Sequence, residues 1–215
     1  MEKEVLQAVK NGTLPVSCID NSARRVLKLV FRAAETLKAP ASCDYEAHHA
    51  LAKRAAAEGA ALLKNEGGIL PLKQGAKIAV IGAMAKNLRY QGAGSSMVNS
   101  TQVDVLLDKL IDSAVNVIGY QQGFDRHGKP DAALQKSACE LAAQANTVIL
   151  CMGLDEIAES EGLDRSNLRL AQNQVELLQA VKAVNPKIVV VLYSGSVVET
   201  PWLDNCQALL YAALG

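Results

Sequence analysis

Eight residues, Ala158-Glu159-Ser160-Glu161-Gly162-Leu163-Asp164-Arg165, bring two glutamates, a glycine and an Asp-Arg pair together just beyond the apolar run Thr147-Val148-Ile149-Leu150-Cys151-Met152-Gly153. An apolar run closed by glycine reads as a buried strand, so the charges fall past its carboxyl end. Open α/β sheets bind their ligands there. Two carboxyls could exchange protons with a polar substrate, provided the surroundings keep one of them protonated. A solvated acidic loop has the same composition, since surface loops are rich in charge. The rest of the chain has to decide between the two.

Composition removes several alternatives. Half of the 215 residues are hydrophobic, enough for a sizeable core, and 22 basic residues balance 22 acidic ones. With no net field, neither nucleic acid nor an anionic membrane is expected as a partner. The longest apolar runs, such as Ile188 to Tyr193, are far short of the roughly 20 residues a spanning helix needs. Cys18, Cys43, Cys139, Cys151 and Cys206 show no CxxC spacing. They read as small core residues in a reducing, cytoplasmic compartment, although a signal peptide lost upstream would change that. His48 and His49 are adjacent on an expected helix and cannot face one ion, and His127 lies in a polar loop, so no metal is expected.

The elements that must position the acidic loop follow from periodicity. Residues 4–10 and 20–37 read as helices, the second with Ile19, Ala23, Val26, Leu27, Val30 and Phe31 on one face and Asp20 as a cap. After the linker Lys38-Ala39-Pro40-Ala41-Ser42 a helix is expected from Tyr45 to Lys64, ending at Gly67-Gly68 in a left-handed cap. Ile69-Leu70-Pro71-Leu72 then runs along an edge or groove. From Lys77 strands alternate with helices. Strands are expected at 78–81, 115–120, 148–152, 188–193 and 208–212, and helices near 102–113, 131–144 and 173–184. That grammar predicts a mostly parallel sheet covered on both faces.

Other loops share the carboxyl rim. The turn Gly82 to Lys86 lacks GxGxxG, GxxxxGK[ST] and a suitably placed acid, so no dinucleotide or other cofactor is expected. Gly92-Ala93-Gly94-Ser95-Ser96 offers flexible backbone and two hydroxyls. Tyr120 to Asp125 reads as an ordinary turn. Asp164 and Arg165 are expected to pair with each other or with backbone and so shape their loop. Trp202, the only tryptophan, is expected to pack inside.

Taken together, the segments resemble family 3 glycoside hydrolases, the β-glucosidase group. Ile19-Asp20-Asn21-Ser22-Ala23-Arg24-Arg25-Val26-Leu27 is similar to the end of that family's N-terminal barrel. Leu62-Leu63-Lys64-Asn65 with Leu70-Pro71-Leu72 is similar to its LLKN-LPL signature, Gly92 to Ser96 to its GxGSS loop, and Glu159 to Arg165 to its ESEGxDR loop. Leu168, Leu170, Gln174, Asn185-Pro186, Gly195-Ser196 and Trp202 follow in the family's order. Ala171, Val197 and Asn99-Ser100-Thr101 depart from it, at turns.

The resemblance implies an α/β fold, a three-layer αβα sandwich with a mostly parallel, flavodoxin-like sheet, preceded by helices left from an upstream barrel. Residues 1–38 would be that helical remnant, 39–75 a linker with its helix, and 76–215 the sandwich, truncated at its C-terminus. It also implies a retaining β-glycosidase acting on a carbohydrate, with an aspartate nucleophile on the barrel and a glutamate acid/base here. Glu161, directly before Gly162, maps onto the acid/base and Glu159 is the alternate. Gly92, Gly94, Ser95, Ser96, Asp164 and Arg165 would line the substrate loops. The partner domain would be the barrel of the same parent chain, and the fragment alone would be inactive. A non-catalytic domain binding a nucleotide, a carbohydrate or a partner protein is the alternative.

Overall fold

Strands that are apolar at every position need cover on both faces. A computed structural model describing residues 2–38 and 42–214 shows how the chain supplies it. The elements are helices α1 (Glu2–Lys10), α2 (Val16–Leu37) and α3 (Tyr45–Gly59), strands β1 (Ala61–Asn65) and β2 (Lys77–Ile81), helix α4 (Leu106–Ile111), strand β3 (Asn116–Gln121), helix α5 (Ala132–Ala142), strand β4 (Thr147–Gly153), helix α6 (Gln172–Val184), and strands β5 (Ile188–Tyr193) and β6 (Ala208–Ala213). The chain divides into two units, Met1–Asp44 and Tyr45–Gly215.

In the first unit α2 begins four residues earlier than expected. Asp20 lies inside the helix, and the N-cap position belongs to Pro15 (φ −62, ψ 138). Proline's preset φ suits a helix entry, and its missing N–H is no loss there. Neither α1 nor α2 has a buried residue. Residues 39–41 of the expected linker lie outside the described residues.

The second unit is one six-stranded sheet in the order β1-β6-β5-β4-β2-β3. Strands β2 to β6 are parallel, in the order of flavodoxin-like sheets. Alternate residues of β4 and β5 enter two cores. Val148, Leu150, Met152, Val190 and Leu192 meet α5 and α6 through Ala138, Ala142, Leu177 and Leu178. Ile149, Cys151, Val191 and Tyr193 join Ile78, Val80, Met84 and Leu107 of α4 on the opposite face. The result is an αβα sandwich. Trp202 is 2% exposed and belongs to the first core, as its size suggested.

Two expectations fail in this unit. The helix expected over 45–64 stops at Gly59, and residues 61–65 form β1, antiparallel to β6. Helix propensity is overridden by pairing. The edge of β6 offers unpaired backbone groups, and Lys64 reaches through to the carbonyls of Leu203 (3.0 Å) and Cys206 (2.7 Å). Gly67 and Gly68 do have φ of 63°, but they turn the chain out of a strand rather than capping a helix. The cysteines are not all core residues either. Cys151 and Cys206 are buried and Cys139 is half-buried, while Cys18 and Cys43 are exposed beside or within the N-terminal helices. Burial in the sheet pushes the Cys151 thiol up to about 12, so it behaves as a hydrophobe.

Candidate active site

The strand order reverses between β2 and β4, the point where a parallel sheet opens a crevice at its carboxyl ends. The segments leaving β2, β4 and β5 meet there. At the exit of β2, Gly82 has φ 114 and lies so close to β4 that an added Cβ would stand 2.1 Å from the Cys151 carbonyl oxygen. Only glycine lets the chain turn off the sheet at that spacing.

The loop after β4 is fastened step by step. Gln174 of α6 holds both the N–H and the carbonyl of Gly153, each at 2.9 Å. Asp155 accepts the Ala158 N–H at 2.8 Å and meets His127 Nδ1 at 3.0 Å, while Glu156 pairs with Arg126. Farther on, the Leu163 N–H bonds to the Ser160 carbonyl, closing a turn in which Gly162 has φ 82. Glu161 stands at the head of that turn.

The two glutamates meet different surroundings. Glu159 is 9% exposed in its side chain and forms an ion pair with Arg89. It also accepts the Gly195 N–H at 3.0 Å and a hydrogen bond from the Ser196 hydroxyl. Burial alone would raise its pKa, but the hydrogen bonds from Ser196, Gly195 and Arg89, with the arginine's charge, hold the carboxyl below its ordinary value. Glu161 is exposed, and its Oε2 accepts the Ser95 hydroxyl at 2.6 Å. One carboxylate is enclosed by three donors and the other is exposed and meets one.

The remaining sequence-derived residues sort by reach. Ser95 crosses to Glu161, whereas Ser96 donates to Ala93 O at 3.1 Å and stays within its own turn, where Gly94 has φ 70. Arg165 does not turn to its neighbour Asp164. It donates to Ser196 Oγ (3.1 Å) and Val197 O (2.7 Å), which satisfies the backbone half of the expectation. Asp164 is exposed and, with Gly92, Arg89, Glu159, Gly195 and Ser196, lines an open cleft of about 430 Å³. A second cavity of about 590 Å³ lies along the same loop, bordered by Arg126, His127, Asp155, Asn167 and Gln174. Of the turn expected at 120–125, Tyr120 and Gln121 end strand β3, and Asp125 accepts the N–H groups of His127 (3.0 Å) and Lys129 (3.1 Å) in the loop that follows.

Sequence reasoning passed over Arg89. Its signal was weak but present: a single arginine in the segment that leaves a strand at the reversal point of the sheet. Among the described residues no three His, Cys, Asp or Glu side chains come together as a metal site. Nor is any helix among them long and apolar enough to cross a membrane.

Known proteins are similar to this chain in sequence and fold. Residues 60–215 match the glycosyl hydrolase family 3 C-terminal domain. Over its whole length the chain is 39% identical to a thermostable β-glucosidase B of Acetivibrio thermocellus. It is 36% identical, over 97% of its length, to an exo-α-(1→6)-L-arabinopyranosidase of Bifidobacterium breve. It spans 29% of the length of each of these relatives. The crystal structure of a family 3 β-glucosidase from Bifidobacterium adolescentis superposes with a TM-score of 0.85 at 39% identity, covering 99% of this chain and 32% of that one. The chain therefore belongs to glycosyl hydrolase family 3 and carries its C-terminal α/β domain.

Proposed function

We propose that this chain supplies the general acid/base of a retaining β-glycosidase, and that Glu161 is that residue. The observation behind this reading is the contrast within one loop. A general acid must hold a proton and reach the leaving oxygen, and then, as base, activate water. Glu159 is unsuited to both steps, because three donors hold it as an anion and point it inward. Glu161 stands two residues away on an exposed turn, oriented by one hydroxyl.

The nucleophilic aspartate comes from a barrel domain of the same polypeptide outside these 215 residues, with the N-terminal segment 1–38 closing that barrel. A retaining mechanism sets the two carboxyls about 5–5.5 Å apart. Docking against the barrel would also exclude water from the Glu161 turn and favour the protonated acid before attack. Without that second carboxyl the 215-residue chain turns over no glycoside. The substrate is a terminal β-linked glucoside. Because one relative is named for an L-arabinopyranoside, the substrate panel includes the aryl α-L-arabinopyranoside as well as the aryl β-glucoside.

The test is Glu161→Gly and, separately, Glu159→Gly in the full-length polypeptide, assayed with and without azide. Turnover should fall by about 10²- to 10⁴-fold in Glu161→Gly. Azide should restore it there, because a small anion can attack the glycosyl-enzyme when the base is gone. Rescue confined to Glu159→Gly would move the role to that residue. Full activity in both variants would remove the loop from the chemistry.

A further inference from the structure

Arg89 is 2% exposed, and a guanidinium that deep is costly unless it is paired. Its Nη1 meets two acceptors that frame the first stretch of the acidic loop. One is the Leu154 carbonyl, the first residue past β4, at 3.3 Å, and the other is the Glu159 carboxylate. A single cation thus bridges the start of the loop and a point five residues along it. From Glu159 the network continues to the Gly195 N–H and to Ser196, whose hydroxyl also receives Arg165. Three loops, from β2, β4 and β5, are joined through this one carboxylate.

Among the described residues the buried Nε of Arg89 has no hydrogen-bond partner. An unmet buried donor is unfavourable, so the side chain's placement is set by its other contacts. Its position follows its two acceptors, and buried ion pairs are better attested as devices that fix register than as net stabilisers. Arg89 and Ser95 leave the same strand, so one segment grips the loop at Glu159 and touches Glu161 two residues on.

We infer that Arg89 is a positioning residue for the reaction: through Glu159 it fixes the turn that presents Glu161. This rests on the reading of Glu161 as the acid/base, and the experiment separates the two. Arg89→Met, Arg89→Lys, Glu159→Gln and the Arg89→Met/Glu159→Gln double variant are compared by hydrogen exchange in the 215-residue chain and by kinetics in the full-length polypeptide. In Arg89→Met the Gly195 and Leu163 amides should exchange at least about tenfold faster, with the β4 and β5 ladder amides unchanged. The value of kcat should fall by roughly 10²-fold with KM within about threefold, since misplacing a catalytic group by an ångström costs that much. Arg89→Lys should recover part of the rate, and the double variant should be no worse than the poorer single one, as for two residues acting as a unit.

Unchanged exchange at Gly195 and Leu163 would overturn the proposal. So would a uniform loss of protection through β4 and β5, which would make Arg89 a structural residue only. Faster loop exchange with unaltered kcat, in an enzyme that Glu161→Gly inactivates, would overturn it as well. If Arg89→Met does not fold, Glu159→Gln keeps the shape, removes the charge that Arg89 faces, and carries the same three readings. Full activity in Glu161→Gly would sink the acid/base assignment, while the exchange data would still judge the hold of Arg89 on the loop.

Discussion

Strand β4 and the loop that leaves it meet at Gly153 and are held by opposite means. All seven residues of β4 are buried; Thr147 to Leu150 pair with β2 and Val148 to Gly153 with β5, and the strand packs into a core on each face of the sheet. In the loop, only Leu154 and Leu170 are buried between residues 154 and 170, and order comes from a few charged side chains reaching in from distant segments. The strand is fixed redundantly, so losing one contact weakens the fold without moving the strand. The loop is fixed by a small set of polar contacts at separate points, so losing one is expected to loosen the loop more than it weakens the fold. On the proposed reading of Glu161, stability and chemistry would rest on different residues.

That division can be tested from its strong end to its weak one. Leu150→Ala, fully buried in β4, should cost about 2–5 kcal/mol in denaturant unfolding. A cost below about 1 kcal/mol would mean that the core is not redundantly packed. Gln174→Leu sits at the joint, because it strands the Gly153 N–H and carbonyl in a buried setting. We expect a loss of about 1–3 kcal/mol, with increased exchange beginning at Gly153 and spreading into the loop rather than into the strand.

A smaller effect separates surface pairing from core packing. Asp104 joins α3 to the start of α4 through Lys109 (3.0 Å), Lys53 (3.2 Å) and His49 (3.5 Å). The hydrogen bond from Lys109, with help from Lys53, lowers its carboxyl from 3.8 to about 2. A lowered acid pKa stabilises the fold above the ordinary value, and that contribution is lost as pH falls from about 4 to 2. Asp104→Asn should therefore flatten the acid limb of a stability–pH curve while costing under about 1 kcal/mol at neutral pH. Smallest of all, Glu161→Gln should change unfolding stability by no more than about 0.5 kcal/mol. A larger loss would show that the exposed turn carries structural weight, and would blur the contrast between loop and strand.

Much of this was legible in the chain. The five parallel strands, α5 and α6 announced themselves through apolar runs and helical spacing, because burial on two faces leaves few other compositions possible. The position of the acidic loop past a strand, and the family to which its ESEGxDR pattern belongs, were also written in local order. What local order misjudged was β1. Ala-, Leu- and Lys-rich residues favour a helix in isolation, and only the open edge of β6 makes a strand the better state. The cap of α2 was misplaced for a different, local reason: Asp20 was read as the cap, whereas the helix enters at Pro15.

The resemblance favoured Glu161 over Glu159, but the difference in their surroundings is visible only in the tertiary structure. The two residues are identical in type and two positions apart, so no periodicity or propensity separates them. What separates them is that Arg89, 70 residues upstream, and Gly195 and Ser196, over 30 residues downstream, converge on one carboxylate and leave the other to Ser95. Long-range convergence of that kind depends on the reversal of strand order between β2 and β4, which sequence spacing does not encode. The amino-acid sequence by itself determined the five parallel strands, their core and the kind of loop, because burial on two faces restricts composition; the folded sheet decided β1 and which of the two acids is enclosed and which is exposed, because both depend on long-range pairing.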